Sequence, residues 1–352
     1  MYEIPPIKPE VSEYRQHTLR CDRCGKTTRG RLPAGVSTSQ NGPRLTALAA
    51  GLMGMFRQSK RRTALFFTEV LDVPCSTGMV VKMQQRASNS LASCYDELIA
   101  AVPHEPVVHL DETPAREENR RSWLWVAGAA LFTVFVIRGS RAASVVSELL
   151  GDAFAGTIIT DRFSSYSRVE RRQVCWSHLL RDFRSLIDSG GAAESIGRRL
   201  LDIGHEVFHH WHRARDGTIR RETFRVHMRR LQHDLWEVLE DGQLCADSRA
   251  AGVCRDLFVR FDQLWVFAEC PPALFGRIEP TNNSAERALR HAVIWRKLSH
   301  GTQSESGSRF VERLLTVVES CRQQNRSVLE FLTDSLLASS AGTKPPTLLA
   351  DP

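Results

Sequence analysis

Two short apolar runs, each followed directly by an aspartate, constrain the fold of this chain more than any other feature. The string PVVHLDET ends its apolar part at Asp111, and the string GTIITDRFSSY does the same at Asp161. Short runs rich in Val and Ile are typical of buried strands, so each aspartate is expected where the chain leaves a strand. Folds of the α/β class place chemistry at such strand ends. Both strings therefore predict a carboxylate presented at the edge of a sheet.

A third carboxylate, Glu286, lies in the string PTNNSAERALR at the start of a predicted helix. Two interpretations are open. With Asn283 as N-cap, Glu286 three residues later would form a variant of the capping box. Alternatively, Glu286 joins Asp111 and Asp161 in a metal site, which the basic residues of the same helix favour because a helix start among cations suits phosphate.

The order of elements predicts the fold class. Residues 104–190 alternate between strand and helix signals, and Trp123 to Ile137 reads as two strands of a hairpin in the sheet that contains Asp111. The strand signal disappears between Gly191 and Cys270, where long charged helical patterns replace it. We expect an α/β protein with a mixed sheet flanked by helices, interrupted by an all-helical insertion and preceded by an N-terminal helical region.

Composition and net charge limit the classes of protein to which this chain can belong. The chain has 352 residues, of which 42% are hydrophobic and 25% charged, and its net charge of +7 favours a polyanionic partner without establishing one. Nine scattered cysteines indicate a reducing compartment, and the start MYEIPPIKPE has no secretory signal. The most apolar stretch is too short to span a bilayer. We expect a cytoplasmic protein that does not enter a membrane.

Two further motifs have metal-binding interpretations. Cys21 and Cys24 form a C-x-x-C knuckle, which supplies two of the four ligands of a structural zinc site, and a pair of free thiols is the alternative. His205, Glu206 and His209 match the H-E-x-x-H pattern of zinc peptidases, in the string His205-Glu206-Val207-Phe208-His209. No third-ligand signature follows that pattern, so a polar helix face is the favoured interpretation.

Long strings of the chain resemble, in order, the transposases of bacterial insertion sequences of family sixty-six. The strings are HLDET, TDRFSSY, QVCWSHLLRDF, EPTNNSAERALRHAVIWRK and GTQSESGSRF, together with YEIPPIKPEVSEY, the cysteine knuckle and GPRLTALAAGLMG. The resemblance covers nearly the whole chain to about residue 335. Relatives of this kind carry a further cysteine pair and a helical leader upstream of the segment with which this chain starts.

The resemblance implies a ribonuclease H-like catalytic core with a D, D and E triad. Carried over by motif, the triad is Asp111, Asp161 and Glu286, and His178, Asn282 and Asn283 match as supporting residues. The implied cofactor is Mg²⁺ or Mn²⁺, since two divalent ions neutralise charge during phosphodiester transfer and oxygen ligands suit them. The implied partners are double-stranded DNA at transposon ends and target, further copies of the chain on that DNA, and accessory proteins of the same element.

On this basis the chain is predicted to consist of six segments. They are an N-terminal segment at 1–42 with a partial zinc knuckle, a helical region at 43–103, a ribonuclease H-like core at 104–190 plus 271–300, a helical insertion at 191–270, C-terminal helices at 301–338 and a tail at 339–352. The helical region has Lys60, Arg61 and Arg62 at the start of its second helix, which suits either a DNA-reading helix pair or a bundle with a solvated basic edge.

Three functions from different classes remain after this reasoning. The first is a DNA transposase that cleaves DNA and transfers strands. The second is a catalytically idle DNA-binding remnant of one, and the third is a zinc peptidase that uses His205, Glu206 and His209. Convergence of Asp111, Asp161 and Glu286 in the folded protein discriminates the first from the others.

Overall fold

The computed structural model describes residues 1–5, 7–33, 36 and 39–349. Its strands are β1 (Thr18–Arg20), β2 (Thr27–Arg29), β3 (Val107–Glu117), β4 (Arg120–Gly128), β5 (Thr133–Arg138), β6 (Thr157–Thr160) and β7 (Arg172–Val174). Its helices are α1 (Pro43–Gly54), α2 (Lys60–Leu71), α3 (Thr77–Ser90), α4 (Ala92–Ala101), α5 (Ala143–Leu150), α6 (Trp176–Ser189), α7 (Gly191–Arg215), α8 (Arg221–Gln243), α9 (Ser248–Val259), α10 (Val266–Glu269), α11 (Asn283–Ser299), α12 (Glu305–Gln323) and α13 (Val328–Ala341).

The chain divides into two compact units. One comprises residues 1–98, 117–119 and 295–352, and the other comprises 99–116 and 120–294. The division falls within α11, a few residues before the boundary at 300 that we predicted for the core. Each unit is described by itself below.

A five-stranded mixed sheet organises the second unit, in the order β5-β4-β3-β6-β7. β4 and β5 form the predicted antiparallel hairpin, while β3 pairs with β6 and β6 with β7 in parallel. The inner strands are buried on both faces, and helices cover them, as parallel pairing requires. The prediction of a mixed sheet with flanking helices is confirmed.

The strand that carries Asp111 is longer than the sequence indicated. We expected the chain to leave the strand at Asp111, but β3 continues to Glu117. β6 ends at Thr160, whereas β4, the neighbour of β3 on the other side, begins at Arg120 directly after a turn at 118–119. Asp111 therefore lies within a strand, just beyond the part that β6 covers.

The region from 191 to 270 is helical, with short 3-10 turns, and it contacts the sheet through specific polar bonds. The indole N–H of Trp176 and the amide of Gln173 both donate to the carbonyl of Leu264, at 2.8 and 3.1 Å. The Gln173 side chain also accepts from the backbone N–H of Phe267 at 2.9 Å. Because both side chains are fully buried, these bonds satisfy polar atoms that water cannot reach.

Close packing of α6 against α7 depends on two glycines. A Cβ added to Gly197 would lie 2.9 Å from the carbonyl oxygen of Phe183, and one added to Gly204 would lie 2.3 Å from a methyl carbon of Leu180. Both distances are below ordinary van der Waals contact. Glycine at these positions lets the two helices approach to a separation that any larger residue would prevent.

The first unit is mainly helical. Ser59 caps α2, since its hydroxyl accepts from the N–H of Arg62 at 3.2 Å. Two helices, α3 and α4, follow residue 75, with a break at Leu91. Lys60, Arg61 and Arg62 are exposed at the start of α2.

The C-terminal segment is packed rather than loose. The side chain of Leu348 is fully buried. Its carbonyl accepts from the Gln324 amide at 2.6 Å, and the hydroxyl of Thr347 donates to Glu97 at 2.9 Å. The predicted tail at 339–352 is therefore wrong as far as residue 349, because apolar contact and hydrogen bonds fix it; residues 350–352 lie outside the described residues. No helix in the described ranges has the length and apolarity to cross a membrane.

Candidate active site

Asp111 lies on β3, and Asp161 directly follows β6, the parallel neighbour of β3. The register pairs Val108 with Ile158 and His109 with Ile159, and continued by two residues it places the two aspartates opposite one another. Neighbouring strands are about 4.8 Å apart, so the two carboxylates start from adjacent backbone positions. Each also accepts a local backbone N–H at 2.8 Å, Asp111 from Glu112 and Asp161 from Phe163.

A buried arginine fixes the backbone of Asp161. Arg172 on β7 is almost completely buried, and its guanidinium donates to the carbonyl of Asp161 and, at 2.8 Å, to the hydroxyl of Thr160. Burial lowers the pKa of Arg172 to about 10, while the charge of Asp161 opposes that shift. The cation therefore holds the end of β6 in place and contributes positive charge behind the aspartate.

Asn282 brings the start of α11 to the strand that carries Asp111. Its side chain is fully buried; the amide nitrogen donates to the carbonyl of Leu110 at 2.8 Å, and the amide oxygen lies 3.2 Å from Nδ1 of His109. Its backbone N–H donates to the sulfur of Cys175 at 3.2 Å. These bonds tie α11 both to β3 and to the loop between β7 and α6.

Glu286 lies one helical turn beyond Asn282, on the same face of α11, because residues four apart share a face. Its backbone N–H donates to the carbonyl of Asn282 at 3.2 Å. Its carboxylate oxygen Oε1 lies 3.5 Å from Nδ1 of His178 and 3.9 Å from the guanidinium of Arg181. The helix thus directs this acid toward α6 and the sheet edge.

The capping-box interpretation of Glu286 is wrong. The helix begins at Asn283, so the residue in the capping position is Asn282 rather than Asn283. Asn282 has buried tertiary partners for its side chain, and the Glu286 carboxylate faces His178. Tertiary hydrogen bonds have prevailed over the local motif.

The surroundings of Asp111 favour its protonated form. Burial, together with the negative charges of Glu112, Asp161 and Glu286, raises the pKa of Asp111 to about 7, against the hydrogen bond from the Glu112 N–H. The register sets Asp161 opposite Asp111, and the bond from Asn282 to Leu110 brings the helix of Glu286 to the strand of Asp111.

Glu112 is a residue whose importance the sequence analysis missed. Its side chain is 1% exposed, and its carboxylate accepts from the guanidinium of Arg141 at 2.7 Å and from the hydroxyl of Tyr166. The guanidinium of Arg141 lies 3.6 Å from the ring centroid of Phe163 and 4.7 Å from that of Trp123. This network ties the segment that follows Asp161 to the strand that carries Asp111. The signal was present in HLDET, because an acid next to Asp111 in a strand must point to the opposite face.

The donor set fits a divalent cation. Oε1 of Glu286 and Nδ1 of His178 are both buried, and neither accepts nor donates a hydrogen bond. Ligand atoms of Cys175, His178 and Glu286 all lie within 4.8 Å of one another, which is the one such group of three or more in the described part of the chain. Buried polar atoms without hydrogen-bond partners are costly, so this pair favours a further ligand.

The H-E-x-x-H string and the C-x-x-C knuckle have no third ligand nearby among the described residues. Glu206 lies 3.5 Å from Nε2 of His210, and His205 is exposed. Cys21 and Cys24 are exposed in the turn between β1 and β2, where backbone N–H groups of Cys24 and Arg23 lower the pKa of the Cys21 thiol. Among the described residues neither motif belongs to a group of three or more possible ligands.

Comparison with known families defines the class of protein. Residues 39–309 match the model of the family described as "Transposase IS66 family". The chain belongs to this family of insertion-sequence transposases.

One curated relative is similar over most of the chain. It is "Uncharacterized protein y4qI" of Sinorhizobium fredii (strain NBRC 101917 / NGR234), which is 24% identical over 316 residues. The similarity covers 80% of this chain and 56% of that protein, so the chain spans about half the length of the relative.

Proposed function

We propose that this chain is a DDE transposase, which cleaves DNA and transfers strands through a ribonuclease H-like core. The observation that carries the proposal is the bond from Asn282 to Leu110. It joins the helix of Glu286 to the strand of Asp111, across a separation of 172 positions. Together with the register that sets Asp161 opposite Asp111, this bond supports a site to which all three acids contribute.

Each acid has a distinct role in this proposal. Asp111 would contact both of two Mg²⁺ or Mn²⁺ ions. Asp161 would bind one of these ions, and Glu286 would bind the other. Such ions, when bound, neutralise charge on the attacking and leaving oxygens of a phosphodiester. Protein carboxylates are the oxygen ligands that Mg²⁺ prefers.

Basic residues beside the acids suit a DNA backbone. Arg181 on α6 and Arg287 and Arg290 on α11 are exposed, and Arg181 lies 3.9 Å from Glu286. Cations at this position would hold the phosphates that flank the scissile bond, because guanidinium groups bind phosphate in a bidentate manner. We infer double-stranded DNA at transposon ends and target as the substrate, with further copies of the chain and accessory proteins of the element as partners.

The proposed reaction has two steps of one chemical class. Water attacks a phosphodiester at the transposon end and releases a 3′-hydroxyl, and that hydroxyl then attacks a phosphodiester of the target. In each step one P–O bond forms and another breaks, so a covalent protein intermediate is not needed. The task of the protein is to hold the phosphate and the nucleophile in line.

A nicking assay tests the proposal. The substrate is a supercoiled plasmid that carries the element's two ends, with Mg²⁺ or Mn²⁺, and the variants are Asp111→Asn, Asp161→Asn and Glu286→Gln. We expect nicking by the original chain and its loss in each variant by at least about 100-fold, with DNA binding retained. Salt-sensitive DNA binding by all four proteins without nicking by any would instead identify a catalytically idle DNA-binding remnant.

A control variant tests the zinc-peptidase alternative in the same assay. His205→Ala removes a residue of the H-E-x-x-H string that lies exposed on α7. The proposal requires that nicking is unchanged in this variant.

A further inference from the structure

We infer that His178 is a direct ligand of the metal ion on the Glu286 side, so that this position is a nitrogen and oxygen site rather than an all-carboxylate one. The inference rests on the proposed function, since it concerns an ion that the three acids would share. It goes beyond the triad of Asp111, Asp161 and Glu286, because the resemblance to the family gave His178 only a supporting role.

The two facing atoms carry the argument. Nδ1 of His178 and Oε1 of Glu286 are 3.5 Å apart, both are buried, and neither has a hydrogen-bond partner. A hydrogen bond between them would satisfy both atoms, yet their separation leaves them without one. Two donors of one ion are commonly separated by about 3 Å, since each lies about 2.1 Å from the metal.

The position of His178 is fixed by its helix, not by chance contact. It lies in the first turn of α6, and its backbone N–H donates to the carbonyl of Cys175 at 3.2 Å. Trp176, two residues earlier, is fully buried and bonded to Leu264 at 2.8 Å. The imidazole is therefore held by a rigid helix start, as a ligand of a metal site should be.

Cys175 has a different role at the same place. Its sulfur accepts the backbone N–H of Asn282 at 3.2 Å. A sulfur atom occupied in this way is a poor ligand for Mg²⁺ or Mn²⁺, which take oxygen and nitrogen donors. His178 and Glu286 are then the ligands for these ions, and Cys175 positions Asn282.

An imidazole ligand changes which ion the site selects. Mg²⁺ favours oxygen donors, whereas imidazole also suits transition-metal ions. We therefore expect the original chain to bind Mn²⁺ more tightly than Mg²⁺. In His178→Ala most of this difference in affinity should be lost.

Electron paramagnetic resonance of Mn²⁺ bound to the whole chain tests the inference directly. Pulsed measurement should show coupling to ¹⁴N, and protein labelled with ¹⁵N-histidine should show the ¹⁵N pattern instead. His178→Ala should lose the coupling and bind Mn²⁺ at least about 10-fold more weakly. His205→Ala, an exposed histidine on α7, is the matched control and should retain both.

The outcomes separate this inference from the proposed function. Absence of nitrogen coupling in the original chain, or its retention in His178→Ala, overturns the inference even if nicking depends on all three acids. Nitrogen-coupled Mn²⁺ in a chain that nicks no DNA supports the ligand assignment and overturns the proposed function. The labelled original chain needs no substitution, so misfolding of a variant cannot obscure the result.

Discussion

The amide of Asn282 donates to the carbonyl of Leu110 at 2.8 Å, and this bond fixes the distance between the helix of one acid and the strand of another. Leu110 immediately precedes Asp111, and Asn282 precedes Glu286 by one helical turn. The catalytic proposal therefore depends on a residue that carries no charge.

Replacement of Asn282 by Ala should affect both stability and nicking. The change leaves the buried carbonyl of Leu110 without its donor, which costs about 1–3 kcal/mol in the free energy of unfolding. We expect nicking to fall by more than about 10-fold, because a shift of the helix misplaces Glu286. Urea titration and initial rates measure the two effects. Asn283→Ala, one position along, is the control, and an equal effect there would contradict the role assigned to Asn282.

The pH dependence of stability should reveal Asp111. Its pKa is raised by burial from 3.8 to about 7, so the folded protein holds this proton more tightly than the unfolded chain. The resulting stabilisation is complete below about pH 4 and is lost as pH rises through about 7. In the absence of metal, the original chain should therefore lose stability relative to Asp111→Asn between these values. Asp188→Asn, an exposed acid, is the control and should show no such divergence.

Metal binding should follow the opposite trend. A carboxylate must be deprotonated before it binds a cation, so Mg²⁺ or Mn²⁺ should stabilise the protein more at pH 8 than at pH 6. Thermal melting with and without each metal measures this difference. Equal stabilisation at both values would contradict the assignment of Asp111 as a ligand.

The hydrogen bonds of Glu112 with Arg141 and Tyr166 should stabilise the folded protein. Tyr166→Phe removes the hydroxyl that donates to Glu112 and leaves a buried carboxylate oxygen without that partner. We expect a loss of about 1–3 kcal/mol in the free energy of unfolding, measured by urea titration. Tyr14→Phe, at an exposed position, is the matched control. A loss no larger than that of Tyr14→Phe would contradict the proposed link between β3 and the segment after Asp161.

Replacing glycine by alanine should have opposite effects on stability at a closely packed position and at an open one. Gly197→Ala should destabilise the protein by about 1–3 kcal/mol, because the new methyl group would meet the carbonyl of Phe183 at 2.9 Å. Gly252→Ala, in α9, meets nothing within 4 Å and should stabilise it by about 0.5–1 kcal/mol. Thermal melting distinguishes the two signs.

The packed C-terminal segment can be tested in the first unit. Leu348→Ala removes a fully buried side chain and should cost about 2–5 kcal/mol, whereas Leu337→Ala, which is half exposed, should cost less than about 1 kcal/mol. Urea titration of both variants gives the comparison. A cost below about 1 kcal/mol for Leu348→Ala would indicate that the segment contributes little to the fold.

Local signals predicted much of the fold. The apolar runs before Asp111 and Asp161 and the hairpin depend on neighbouring residues, and the structure contains all of them. The break at Leu91 and the extension of β3 depend on what packs beside each element. Such features require tertiary partners that periodicity does not encode.

In the candidate site, too, local motifs predicted one part and tertiary contacts determined the rest. Motifs in the sequence singled out three acids as candidates, and a capping-box pattern left a second, local interpretation of Glu286 open. The partners of Asn282 and Glu112, Leu110 and Tyr166, could not be identified from the sequence, because they are far away along the chain. The burial of a polar side chain decides its importance, and burial is a property of the fold.

The bonds from Trp176 and Gln173 to Leu264 also determine when the protein can finish folding. Synthesis proceeds from the N-terminus, and these partners are separated by 88 and 91 positions. A nascent chain that ends within α8 already contains both aspartates, yet the edge strand β7 still lacks its partner carbonyl and α11 has not been made. The sheet edge and the helix of Glu286 can therefore come together only after α11 has been synthesised.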